Sequence, residues 1–186
     1  MSDIPALLFS HSHHLLTVRG CSALLDVLSF EGEEALSEPF RYVIEFTSAD
    51  KTITPQQMLM QDATFTLQAP ADQGFGINIQ QTVRTIQGVV TAFERLSASR
   101  DETHYSLTLQ PRLALLSRSH QNRIYQDMSV PDIVEHILRT RHAMRGEDFV
   151  FTLAQAYPRR EQVMQYGEDD LRFITRLLGE VGIWFR

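Results

Sequence analysis

The chain has 186 residues, 43% of them apolar and 22% charged, enough for one domain or one and a fraction and too apolar for a disordered one. Its net charge is −6, from 17 Lys plus Arg against 23 Asp plus Glu, and no stretch gathers the basic patch that a nucleic-acid binder presents. Cys21 is the single cysteine, which excludes an intrachain disulfide, and apolar runs of about four residues, such as Leu113 to Leu116, cannot span a bilayer as a helix.

The opening MSDIPALLFSHSHH has no basic flank and no long apolar stretch, so it does not read as a secretory signal. Period-two patterns then dominate the first 110 residues. Strands are predicted around Leu15 to Arg19 and Leu25 to Glu31. In FRYVIEF, Phe40, Tyr42, Ile44 and Phe46 face one way, while Arg41 and Glu45 face the other. TPQQMLMQ reads as one short helix, with Thr54 as cap and Pro55 at the first helical position. Ala63 to Ala69 alternate again. Pro70 to Thr82, with Pro, Asp and two glycines, reads as a loop joining two strands. Thr85 to Leu96 follow as a strand in which Gly88 marks a bulge or tight bend. Tyr105, Leu107 and Leu109 give one more. Five or six half-buried antiparallel strands predict a closed or nearly closed barrel, or a sandwich.

The pattern changes after Pro111. Leu113, Leu115 and Leu116 form a short apolar turn whose type the sequence leaves open. In RIYQDMSVPDIVEHILRTRH, Ser129 caps a helix that carries Ile133, Val134, Ile137 and Leu138 at helical spacing. The positives from Arg139 to Arg145 read as its solvated end. Phe149 to Leu153 return to period two, and EQVMQY reads as a strand. A last helix begins near Glu168, with a buried stripe of Leu171, Ile174, Leu178 and Val181, widened by Phe173 and Leu177 and ended by Gly182. The fold class is mainly antiparallel β with added helices.

No residues assemble into familiar chemistry. His11 and His13 of HSHH would share one strand face, but no Cys or carboxylate accompanies them at ligand spacing, and a solvated cluster is the plainer reading. Glu168, Asp169 and Asp170 are adjacent on a helix, so they point apart and read as charge at the positive end of the helix dipole rather than as an acid/base pair. Nothing near Cys21 activates a thiolate. Gly74 and Gly76 lack the Lys, Ser or Thr of a phosphate loop, and neither GxSxG nor HExxH occurs. No catalytic residue, metal or cofactor is assigned. Tyr125, Tyr157 and Trp184 are divided between core and interface.

The final segment, QYGEDDLRFITRLLGEVGIWF, resembles the signature of VgrG proteins, the spike proteins of bacterial type VI secretion systems. Tyr166, Glu168, Asp170, Leu171, Phe173, Ile174, Arg176, Leu177, Gly182, Ile183, Trp184 and Phe185 carry the resemblance. LSEPFRYVIEF is similar to the family's early strand through Leu36, Ser37, Pro39 and Phe40. RIYQDMSVPDIVEHIL is similar to a middle segment through Arg123, Ile124, Gln126, Ser129, Asp132, Ile133 and Val134. The three blocks stand in family order. Asp169 departs from the family's usual Ser, but both residues cap helices. Gly179 stands where a helix former is common.

The resemblance implies a phage-tail-hub-like fold, with residues 1–115 as the first β-barrel of a hub and 116–186 as an α/β connecting part. That part would lead into a second, truncated barrel, because family members are much longer. It implies a structural, non-enzymatic role. The hub would adapt a trimeric needle to a hexameric tube and deliver effectors when a sheath contracts. The implied partners are two further copies of the chain, the tube protein, a spike tip protein, effectors and baseplate components, with no nucleic acid. The implied location is the bacterial cytoplasm before firing, then secretion without a signal peptide. Ile183, Trp184 and Phe185 are expected to be edge-like. Two alternatives stay open. One is a tail hub of a contractile phage or phage-like particle, related to the late control protein D family. The other is a metal-dependent hydrolase using HSHH.

Overall fold

The computed structural model describes residues 14–72, 78–146 and 148–186. The chain divides into two compact units. One runs to Glu33 and resumes over Arg41–Gln110, and the other combines Glu34–Phe40 with Pro111–Arg186.

In the first unit six strands close into a barrel: β1 (His14–Val18), β2 (Asp26–Glu33), β3 (Arg41–Ser48), β4 (Asp62–Asp72), β5 (Asn78–Ala98) and β6 (Thr103–Gln110). Their order around the barrel is β1-β2-β3-β6-β5-β4, antiparallel throughout. The alternation read from the sequence follows from this closure, because each strand turns one face to the interior. Tyr42, Ile44 and Phe46 of β3 are buried, as are Ala63 and Phe65 of β4 and Tyr105, Leu107 and Leu109 of β6. Tyr105 stacks between Phe46 (ring centroids 5.5 Å apart) and Phe93 (5.4 Å). The interior is thus filled by side chains.

Two strands are longer than expected. β5 has 21 residues, because its first half pairs with β4 and its second with β6. The ladder with β4 continues through Gln68↔Thr82 to Asp72↔Asn78, so both ends of the predicted Pro70–Thr82 loop are strand. Gly74 and Gly76 lie outside the described residues. Between β3 and β4, the single-turn helix α1 (Pro55–Met58) forms as predicted. The Thr54 N–H donates to Gln57 Oε1 at 2.9 Å, and Met58 is buried.

In the second unit, the apolar turn whose type the sequence leaves open is a 3₁₀ turn over Arg112–Arg118. A two-stranded ribbon, β7 (His120–Met128) with β8 (Arg160–Asp169), accompanies α2 (Val130–His136) and α3 (Asp170–Glu180). Leu116, Tyr125, Ile133, Val134, Ile137, Val163, Phe173, Ile174, Leu177 and Leu178 share one core. Ser129 caps α2 through a reciprocal box with Asp132, whose N–H donates to Ser129 Oγ at 3.3 Å while the Ser129 N–H donates to Asp132 Oδ2 at 3.2 Å. The helix then widens into a π turn, Ile137–Arg141, instead of continuing to His142 as α.

Two expectations are corrected here. Phe149–Leu153 form no strand. Phe149 and Phe151 meet edge to face at 5.6 Å and pack on the core, Val150 points to solvent, and the Arg139 guanidinium covers the Phe149 ring at 5.0 Å. Alternation was satisfied by one-sided packing with no partner strand. In α3 the buried stripe centres on Phe173, Ile174, Leu177 and Leu178, with Leu171 and Val181 only at its flanks.

Candidate functional site at the start of the last helix

The site is built where β8 turns into α3. Gly167 takes a φ of +63°, and its N–H donates to Asn122 Oδ1 of β7 at 2.7 Å. This bend separates the three acids that follow. Glu168 turns outward to Arg176, Oε1 to Nη2 2.6 Å. Arg176 also meets Glu180 Oε1 at 2.9 Å, and Glu180 Oε2 meets Arg160 Nη1 at 2.6 Å. The hydrogen bond from Arg160, then that from Arg176, holds the Glu180 carboxyl below its usual range against a desolvation that pushes it up. Asp169 caps the helix, Oδ1 accepting from the Arg172 N–H at 2.9 Å.

Asp170 turns inward and is fully buried. Its Oδ1 accepts from Arg141 Nη1 at 2.7 Å and from Gln165 Nε2 at 2.8 Å, and His142 Nε2 lies 2.7 Å from Oδ2. Its N–H donates to the Ser119 carbonyl at 3.1 Å, and Arg141 Nη2 donates to Ser119 Oγ at 3.1 Å. Gln165, also fully buried, donates a second bond to the Glu168 carbonyl at 3.1 Å. A buried carboxylate is tolerable only with such partners. The expectation that all three acids serve the helix dipole is therefore corrected for Asp170, and the expectation of a solvated Arg141 is corrected with it.

Outside this cluster, Ser37, Glu38 and Pro39 face Glu168, Leu171, Arg172, Thr175 and Arg176 across an open groove of about 490 Å³. Ser37, at φ +60°, donates its N–H to the Phe185 carbonyl at 2.8 Å, which ties Glu34–Phe40 to the stretch after α3. Ile183 and Phe185 are half-buried and Trp184 is 60% exposed, none of them in a strand.

The signature residues divide by surroundings. Ile133, Asp170, Phe173, Ile174 and Leu177 are buried in the core of this unit. Pro39, Glu168 and Leu171 line the groove. Asp132 caps α2, Phe40 is half-buried, and Gly182, at φ +72°, ends α3. Leu36, Arg123, Gln126 and Tyr166 are exposed, Tyr166 at 79%. Sequence reading missed Ser119, Arg141, His142 and Gln165, which no local pattern marks, since Arg141 and Asp170 stand 29 residues apart.

The other candidates are not part of this cluster or lie outside the described residues. His11 and His13 lie outside the described residues. His14 sits against Phe30 (5.2 Å) and Phe65 (6.0 Å), its Nδ1 accepting from the Gln68 N–H at 3.3 Å. Among the described residues no three His, Cys, Asp or Glu are placed to hold a metal. Cys21 is half-buried and free. Tyr125 is core, stacked on Phe173 at 5.6 Å, and its burial pushes the phenol up. Tyr157 is half-buried.

Residues 33–186 match the phage tail baseplate hub (GPD) family. The chain is 34% identical to the type VI secretion system spike protein VgrG4b of Pseudomonas aeruginosa, over 95% of this chain and 20% of that protein. It is 35% identical to the spike protein VgrG3 of Vibrio cholerae, over 86% of this chain and 15% of that one. The chain thus spans about a fifth of the length of such relatives. Among solved structures it resembles the E. coli c3393 protein, a component of the type VI secretion system with structural similarity to the T4 bacteriophage tail proteins gp27 and gp5. That likeness has a TM-score of 0.80 and 56% identity, over 92% of this chain and 44% of the other. With residues 33–186 matched, the chain belongs to the phage tail baseplate hub family and is similar to VgrG spike proteins.

Proposed function

We propose that the chain is a structural hub segment of a type VI secretion spike. It contributes a rigid β-barrel and an α/β unit to an assembly that fits a trimeric needle onto a hexameric tube, and effectors leave with the spike when the sheath contracts. Residues 1–115 serve as the first barrel of the hub and 116–186 as the connection toward a second. The likeness to the E. coli type VI component carries this reading, because it extends over 92% of the chain at 56% identity. The burial of Phe46, Phe65 and Tyr105 in the barrel interior agrees with a rigid, mechanical role. The chain itself performs no catalysis. The partners are further copies of itself, the tube protein, the spike tip protein, effectors and baseplate components. The protein waits in the bacterial cytoplasm and is secreted through the type VI system.

A chimaera tests this. The 176 matching residues of the P. aeruginosa VgrG4b protein are replaced by the matching residues of this chain. The mass of the chimaera is measured by light scattering, and release of the tube protein is followed in its host. A trimer that restores release supports the reading, whereas a folded chimaera that stays monomeric removes the symmetry adaptor. The family match favours a second reading, a tail hub of a contractile phage or phage-like particle, with the same architecture and mechanics. A trimeric chimaera that assembles but releases no tube protein would favour it.

A further inference from the structure

Two unusual backbone features stand next to the buried Asp170. Ile137–Arg141 form a π turn, and Ala143, two residues on, has a φ of +50°. π turns are rare and often mark a functional position, and left-handed Ala143 closes the helix end in the manner of a Schellman cap. Arg141 is the last residue of the π turn and His142 follows it, and both end on the same carboxylate at 2.7 Å, one on each oxygen. In an α-helix successive side chains point about 100° apart, which would send neighbours to different partners. A turn holding one more residue winds more slowly and brings the two closer in direction. Left-handed Ala143 then turns the chain back, so that the Met144 N–H reaches the Leu138 carbonyl at 3.0 Å and Met144 enters the core.

We propose that the π turn with Ala143 is a latch, whose extra residue exists to deliver Arg141 and His142 together to Asp170. Closed, the latch joins the end of the π turn and Gln165 of β8 to the carboxylate at the first turn of α3, and Ser119 before β7 is held beside it by Arg141 Nη2 and by the Asp170 N–H. It thereby fixes the α3 wall of the groove, Leu171, Arg172, Thr175 and Arg176. The latch belongs to this unit alone and does not depend on the spike assignment.

The first test is a thermodynamic cycle on the intact chain. Deletion of the exposed Thr140 shortens the turn by one residue and restores α spacing. In the native background this deletion lowers the unfolding midpoint by roughly 6–12 °C, because the buried carboxylate loses its hydrogen-bond partners. In the Arg141→Met/Asp170→Leu background the same deletion costs less than half as much, because no charge remains to be met. Equal drops in the two backgrounds overturn the proposal. If either harsh variant loses cooperative unfolding, His142→Ala decides, since it leaves the Arg141–Asp170 pair in place. Amide exchange then quickens about tenfold at Met144, Asp170 and the first turn of α3, while Tyr125 and Val163 in the ribbon keep their protection. Uniform acceleration across the unit would mean ordinary packing loss and no latch.

Discussion

Gly88 stands opposite the end of β6, and a Cβ built there would lie 2.4 Å from the Gln110 carbonyl oxygen. Sequence reading took this glycine as a bulge or tight bend. It is instead part of a regular Ala63↔Gly88 pair, and what requires it is the close approach of a neighbouring backbone. Gly88→Ala should destabilise the chain by about 1–3 kcal/mol, because backbone cannot move aside as a side chain can. Chemical denaturation measures it, and an unchanged midpoint contradicts the close approach. At the start of α2, the Ser129 hydroxyl and then the Ser129 N–H hold the Asp132 carboxyl below its ordinary value of 3.8. A depressed carboxyl contributes stability that is present above its unfolded pKa and is lost as pH falls through the lower folded value. Ser129→Ala should cost about 1 kcal/mol at pH 7. The difference from the native chain should shrink below pH 4, and a difference constant from pH 7 to pH 2 would show that the Asp132 charge takes no part.

Among the elements, α3 combines two kinds of contact of very different worth. Its outer face carries the chain Arg160–Glu180–Arg176–Glu168, whose side chains remain 22–44% exposed. Such pairs contribute at most about 1 kcal/mol each. Its inner face buries Phe173 completely against Tyr125. Phe173→Ala should therefore cost about 3–5 kcal/mol and Arg176→Ala far less. Equilibrium unfolding of the two variants gives the order directly, and a reversed order would mean that the helix is held by its surface. The inner face was legible in the sequence, because apolar residues at helical spacing have one physical meaning in a chain of this polarity. The exact stripe shifted by a residue or so, since a helix rotates to suit what it packs on. The false strand at Phe149–Leu153 has a related cause: two rings on one side of an extended chain look the same whether a partner strand exists or not.

For the whole molecule, the two units have separate cores, and Glu34–Phe40 belongs with the second although it lies between β2 and β3. The ribbon exposes three large apolar residues, Ile124, Met164 and Tyr166. On the proposed reading, the chain by itself is expected to be monomeric by light scattering, because the surfaces that would hold a trimer lie in other parts of a spike protein. A stable trimer of these 186 residues would instead assign that role to this segment.

Local order set most of what could be read ahead of the fold: strands with one buried face, capped helices with one apolar stripe, and signature blocks recognisable as short runs of sequence. Those features repeat every two or 3.6 residues, so a short window contains them. Closure of the barrel, the place of Glu34–Phe40 and the burial of Asp170 lay beyond any window. Each joins residues far apart in sequence, and nothing local distinguishes a carboxylate at a helix start that faces water from one that meets Arg141, His142 and Gln165 in the core. Only the packed chain brings those partners close enough for their hydrogen bonds and the Arg141 charge to offset the loss of water.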